Sequence, residues 1–359
     1  MFRYIIRRIL YAIPVLFAIL LVTFTLARLI PGDPCKAMLG EKATQESCER
    51  FNRKFGLDQP IPTQFALYMG NILRGDLGDS IRFGRPIAVM LAERLPMTIE
   101  LGLTAMFIAV LIGIPAGLLS ALRRNSAIDV VTMVGANFGV SIPVFVLGLL
   151  LIYGFAVLLR DTPLALPPSG RLSPGVSSRP FYDQFGWNVD QSTPGFLLLK
   201  FVANMYVFNA LITADWRVLG DALKHLLLPA LALSTIPLSI IARMTRSSVL
   251  EVLGQDYIRT ARAKGLHNRL VVFRHALRSA LLPVVTIIGL QTGAILSGAV
   301  LTETIFGLSG VGRSLYEAIT SRDFPVIQGF TIVIASIYVL FNLLVDISYA
   351  FLDPRVRLR

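Results

Sequence analysis

Gln255-Asp-Tyr-Ile-Arg-Thr-Ala-Arg-Ala-Lys-Gly-Leu-His-Asn-Arg269, running on through Arg274-His-Ala-Leu-Arg278 to Leu282-Pro283, is a charged interruption between two long apolar segments. Asp256 is placed to cap a short helix over Tyr257 to Lys264. Gly265 sits where a glycine in left-handed conformation ends such a helix. Asn268 is placed to cap the next helix, which carries Arg269, Arg274 and Arg278 toward Pro283. Two readings of this elbow stand side by side. It is either a basic loop that only fixes topology, or a rigid piece that passes force between a membrane bundle and something beside it.

The flanking segments belong to a chain built for lipid. Of 359 residues, 54% are hydrophobic and only 16% charged, and mean hydropathy is +0.67, which together select the membrane class. Six stretches approach the ~20 apolar residues a span needs: 9–30, 98–121, 131–158, 223–245, 280–301 and 328–351. The net charge of +12 is not evenly placed. With the N-terminus inside, inner segments hold sixteen Lys and Arg against four acids (Asp129, Glu251, Asp256, Asp353), whereas outer segments hold sixteen of each sign. This is the positive-inside pattern, and it removes the need for a nucleic-acid partner. Both termini are expected in the cytoplasm.

The first span starts basic and runs on to Ile30 without a small-residue cleavage site, so it reads as retained rather than as a removed signal. Arg28 stands near its outer end, where a long side chain can snorkel. Residues 35–97 form an external subdomain. Its cysteines, Cys35 and Cys48, either close a small loop, worth roughly 3 kcal/mol in an oxidising compartment, or remain two free thiols. Gly113/Gly117, Gly135/Gly139 and Gly289/Gly293 give three small-xxx-small faces for close helix packing. Pro115, Pro143 and Pro237 are expected to bend their helices. The run 196–212 is 17 residues long and broken by Lys200, Asn204 and Asn209. A crossing there would turn the basic elbow outward, so it reads as an amphipathic or re-entrant helix within an external insertion over 159–222. The expected domains are 1–94 (first helix and external subdomain), 95–352 (core, with a cytoplasmic loop at 246–279) and 353–359 (basic tail).

Catalytic chemistry is poorly represented. His225, His267 and His275 lack metal-ligand spacing, and His225 reads as an interfacial anchor. No metal or cofactor is expected. Gly307-Leu-Ser-Gly-Val-Gly312-Arg313-Ser314 differs from a phosphate-binding loop only by Arg for Lys. That loop must follow a buried strand in an α/β domain, so here it reads as an external turn. The acids inside spans, Glu100 and Asp346, lie near span ends within reach of headgroups, which disfavours an ion relay. Ser234, Thr235, Gln291 and Thr292 are the neutral mid-span groups available to line a path, or to bond helix to helix. The chain has no energy source of its own, so a pump built on it draws energy from another subunit. A stand-alone carrier or channel is the rival class.

The elbow resembles the cytoplasmic signature of ABC importer permeases, Glu-Ala-Ala-x-x-x-Gly followed by Ile-x-Leu-Pro. Aligned on Gly265, Arg259-Thr260-Ala261 stand for Glu-Ala-Ala, His275 for Ile, Leu277 for Leu and Arg278 for Pro. The match is closer to the dipeptide/oligopeptide branch. It extends through Leu29-Ile-Pro-Gly-Asp-Pro34, Arg74-Gly-Asp-Leu-Gly78-Asp-Ser80, Arg94-Leu-Pro-Met-Thr98, Arg322-Asp-Phe-Pro325 and Asp346-Ile-Ser-Tyr-Ala-Phe-Leu-Asp-Pro-Arg355. Ser309, where the family has Pro, and an expanded 181–212 depart from it. The resemblance implies an all-α polytopic membrane protein of six spans in a bacterial or archaeal plasma membrane. It implies a second permease, two ATPases and an external solute-binding protein as partners. Tyr257, Arg259, Thr260, Ala261, Lys264 and Gly265 would then dock on an ATPase, with small Ala261 permitting close approach. The cargo implied is a small peptide, with nickel chelates, glutathione or an oligosaccharide as alternatives.

Overall fold

A computed structural model of the chain describes residues 2–29, 35, 43–54, 56–190 and 193–352. Among them there are helices and turns, with a single isolated bridge between Asp79 and Pro86. The N-terminal part comprises α1 (Phe2–Leu29), α2 (Gln45–Lys54) and α3 (Ile61–Leu73). The middle comprises α4 (Ile87–Leu122), α5 (Ala127–Ser141), α6 (Val144–Ile152, continued by a π turn to Leu158), α7 (Phe181–Gln184), α8 (Pro194–Ala203) and α9 (Tyr206–Ile212). The C-terminal part comprises α10 (Trp216–Leu253), α11 (Asp256–Ala263), α12 (Asn268–Leu270, a π turn following to Ala276), α13 (Leu277–Gly298), α14 (Val300–Ile305), α15 (Val311–Ser321) and α16 (Phe324–Leu352). The tail 353–359 lies outside the described residues.

Five helical stretches are long and apolar enough to cross a membrane: Ile6–Leu26, Ile87–Leu122, Trp216–Leu253, Asn268–Ile295 and Phe324–Val345. The sixth is the α5–α6 pair, bent by 102° at Ile142-Pro143, where the proline ring blocks the helix from continuing. Pro115 and Pro237, also expected to bend their helices, lie inside unbroken α4 and α10. The run 196–212 breaks between α8 and α9 with a 92° bend. Its halves, of 10 and 7 residues, are shorter than those of the α5–α6 pair, and the bent run has the form of a broken span or a re-entrant loop.

Glycine decides which helices touch. A Cβ on Gly117 would meet the Ala242 carbonyl of α10 and the Thr245 side chain, and one on Gly113 would stand 3.1 Å from the Leu238 carbonyl. The backbones of α4 and α10 therefore run against each other. Gly139 packs on Ser239, Gly289 on Val345 and Gly293 on Tyr338, while Gly135 faces open space. Around the α4–α10 seam, Met97, Leu101, Ala105, Leu228, Ile241, Val284 and Phe306 form the main core. The outward surfaces stay apolar, with Phe107, Leu111, Val131 and Leu340 exposed, as lipid requires.

Loops at one end are tied down by carboxylates. Glu100, read from the sequence as reaching toward headgroups, is instead buried. It accepts the Val207 N–H (2.7 Å) at the start of α9 and pairs with Arg171 at 3.0 Å. Burial pulls the Arg171 guanidinium below its ordinary range, and Glu100 opposes the shift. Lys200 reaches Glu93 at 2.8 Å. His225 is not an interfacial anchor either: it is buried, its Nδ1 2.9 Å from the Asp221 carbonyl. The insertion thus folds down onto α4 and α10 because its polar groups find buried partners there. At the same end, Cys35 and Cys48 form a disulfide with Cα atoms 5.4 Å apart.

Replacing Gly117 with Leu will force α4 off α10 and cost roughly 1–3 kcal/mol by overpacking. Gly135→Leu, into open space, will be neutral. Melting midpoints of the two purified variants in detergent check the contrast.

Candidate docking elbow and a closed glycine turn

The charged interruption folds as a compact elbow. Gln255, not Asp256, is the residue that caps α11, and its side chain makes no capping bond. Asp256 occupies the first helical position, where its charge complements the helix dipole, and bonds Arg259 at 3.3 Å. At the other end Gly265 adopts φ +76°. The Gly265 N–H reaches the Arg262 carbonyl (2.9 Å) and the Leu266 N–H the Ala261 carbonyl (3.3 Å). This paired arrangement closes a helix on a left-handed residue. The next helix is capped by His267, whose Nδ1 accepts the Arg269 N–H, and not by Asn268. A ring nitrogen one residue earlier does what the asparagine was expected to do.

The elbow has its own core. Ile258 and Ala261 pack on Val271 and Ala276, with Val252 and Leu253 beside them. Ala261 is only 8% exposed, so its small size serves the elbow's interior rather than close approach by a partner. Tyr257, Arg259, Thr260, Lys264 and Gly265 all lie on the open face. The elbow packs on the bundle through Val272, which meets Leu118, Ala121 and Val249, and the helix ends beneath it are joined by an ion pair. Arg246, near the end of α10, grips Asp129 through Nε (2.7 Å) and Nη2 (2.9 Å). Asp129 also accepts from the Ser120 hydroxyl and from the Asn125 N–H. One carboxylate therefore joins the ends of α4, α5 and α10 beside the elbow. Its signal in the sequence was faint: one of only four acids among the inner segments, placed just before a span.

The path candidates are not gathered into one site. Ser234 and Thr235 lie on α10, Gln291 and Thr292 on α13. Ser234 donates to Leu231, Thr235 to Ala232 and Thr292 to Ile288, each to a carbonyl of its own helix. Gln291 is half-buried.

At the opposite end, the glycine-rich turn 307–314 is already filled. Glu303 on α14 is fully buried. Its carboxylate accepts the Arg313 N–H (2.9 Å) at the start of α15 and the Thr98 hydroxyl (2.6 Å). Thr98 in turn accepts the Val311 N–H at 2.9 Å. A Cβ on Gly310 would collide with that carboxylate. The backbone nest that holds phosphate elsewhere holds the chain's own anion here. Burial pushes the Glu303 carboxyl upward, against the Thr98 hydroxyl and the backbone donors of Arg313 and Gly312.

Residues 113–358 match the family described as binding-protein-dependent transport system inner membrane component, and residues 1–102 match the family's N-terminal region. The chain belongs to this permease family. A dipeptide transport system permease protein of Alkalihalophilus pseudofirmus is 44% identical over 357 residues, covering 99% of this chain and 100% of the relative. A di/tripeptide transport system permease protein of Pseudomonas aeruginosa is 44% identical, with 99% of each chain covered. A probable D,D-dipeptide transport system permease protein of Escherichia coli is 42% identical over 93% of this chain and 92% of its own. The chain is thus an all-helical, multi-span membrane permease, and the likeness drawn from its short motifs extends over its whole length.

Removing Glu303 as Ala leaves Thr98 and the α15 backbone donors without their acceptor, at roughly 1–3 kcal/mol for each buried group left unpaired. Glu303→Gln keeps an acceptor and will lose less. Thermal melts of the purified permease will rank wild type above Gln above Ala.

Proposed function

We propose that this chain is the permease subunit of an ATP-driven importer for small peptides. It works with a second, similar permease, two ATPases in the cytoplasm and a solute-binding protein outside. The observation that carries this reading is the elbow. It is a short helix with a closed C-terminus and its own core, packed on the bundle through Val272, with Tyr257, Arg259, Thr260 and Lys264 on its open face. Such a piece moves as a unit, so a push on that face reaches α10 and α13 together. The filled turn at Glu303 supports an energy source on another subunit. The peptide cargo is supported by the relatives, which are dipeptide and di/tripeptide permeases.

The charge bias supports an orientation with the elbow and both termini in the cytoplasm of a bacterial or archaeal cell. In this reading 95–352 is the translocating core and 1–94 an added first helix with an external subdomain. Ser234, Thr235, Gln291 and Thr292 remain path candidates. Gln291 is favoured, because it makes no side-chain hydrogen bond among the described residues.

Gly265→Asp tests the reading. A residue with a Cβ is strained at φ +76° by roughly 1–2 kcal/mol, which loosens the elbow's closure without entering the bundle core. Uptake of a labelled dipeptide and peptide-stimulated ATPase activity will both be lost, while the protein remains in the membrane fraction. Wild-type uptake by this variant would overturn the coupling role.

A further inference from the structure

Beyond the open face of α11, the elbow has a second exposed side. From Asn268 the chain runs through α12, the π turn and α13 to Ile295 as one stretch long and apolar enough to cross a membrane. Its 28 residues extend about 42 Å at 1.5 Å per residue, which is about 12 Å more than a hydrocarbon core of about 30 Å. The charged residues of this stretch, Arg269, Arg274 and Arg278, all sit at the elbow end, so the surplus length belongs there. Residues 268–275 therefore lie in the headgroup layer. Arg278 is about one turn deeper, close enough for its long side chain to snorkel outward.

These turns have two sides. Val271 and Ala276 pack on Ile258 and Ala261 of α11, and Val272 packs on Leu118 and Val249 of the bundle. The other side presents Arg269, Leu270, Phe273, Arg274 and Arg278, all exposed. Phe273 is 60% exposed and Leu270 40%. The flank of a spanning helix looks sideways along the membrane, so at this depth its neighbours are headgroups. The positive charge is not offset along the sequence either: from Tyr257 to Thr302 there are six Lys and Arg and no acid. Phe and Leu set between arginines at headgroup depth can enter the edge of the acyl layer while the cations meet phosphates. A guanidinium matches a phosphate with two parallel N–H···O bonds. Zwitterionic lipids carry no net charge, so a basic cluster beside a span selects anionic ones.

We propose that this flank, made of Arg269, Leu270, Phe273, Arg274 and Arg278, is a contact surface for anionic phospholipid. Its buried side carries Val271 and Ala276, part of the core on which α11 rests, so lipid seated on the flank steadies the elbow at a fixed height on the membrane. The contact needs this end of the helix at a membrane surface. It depends neither on the transported cargo nor on what docks on α11.

The test uses the full-length chain. Hydrogen exchange over residues 256–276 is compared in nanodiscs of phosphatidylcholine with and without phosphatidylglycerol. Native mass spectrometry of the detergent-purified chain, titrated with short-chain forms of the two lipids, reads binding directly. Wild type will exchange more slowly in the elbow when phosphatidylglycerol is present and will bind that lipid in preference. Arg269→Gln, Arg274→Gln and Arg278→Gln will each weaken its apparent affinity about fivefold, the worth of one basic residue at an anionic surface, and added salt will weaken it further. Arg262→Gln removes the same charge from α11, off the flank, and will leave lipid binding unchanged. Equal binding of the two lipids by wild type would overturn the proposal. An equal loss in Arg262→Gln and Arg274→Gln would also sink it, by assigning the effect to overall charge. So would protection of the elbow that arises only when a second permease is co-expressed, which would give the flank to a protein partner.

Discussion

Buried carboxylates set the shape of both ends of this molecule. Within the membrane the helices are held by glycine contacts and apolar packing, but a bundle whose walls must face lipid has few means of fastening its loops. Here each end is fastened by an acid that accepts several donors at once. Glu100 seats α9 and Arg171. Glu303 seats α15 and Thr98. Asp323 accepts from the Ser80 hydroxyl and the N–H groups of Ile81 and Arg82. Asp129 ties the opposite end to Arg246. Burying a carboxylate is costly unless its lone pairs are filled, and each of these takes at least one donor from a segment remote in sequence. The cost itself makes the arrangement specific: no other docking of the loops supplies the donors.

Much of the fold was legible because lipid imposes a simple code. Length and apolarity marked the spans, and Gly265 marked the end of α11. What was not legible depended on partners far away in the chain. Glu100 looked like a boundary acid because nothing in its neighbourhood reveals that Val207 and Arg171 arrive at it. His225 looked interfacial for the same reason. The caps were missed by one residue, since Gln255 and Asp256, or His267 and Asn268, are nearly interchangeable by composition. The interior place of Ala261 was hidden because a small residue suits a tight core and a tight interface equally well.

The glycine-rich turn shows how a motif and its chemistry separate. The sequence 307–314 has the spacing of a phosphate cradle, and its backbone does bind an anion, but the anion is Glu303, supplied from α14. The departure at Ser309 lies within this same turn. The nest therefore acts as a latch between α14, α15 and α4, a use that needs the glycines for the same reason a phosphate loop does: the acceptor comes too close for a Cβ.

Asp323 also sets a schedule. Ser80 and Ile81 belong to the first quarter of the chain, yet their acceptor is made 243 and 242 residues later. At a synthesis rate of about 5–20 residues per second, the N-terminal region waits roughly 10–50 s for the residue that completes it. Until the last span is made, that region keeps open donors at the membrane surface. A chain truncated before Asp323 is marked as unfinished at the end that was made first.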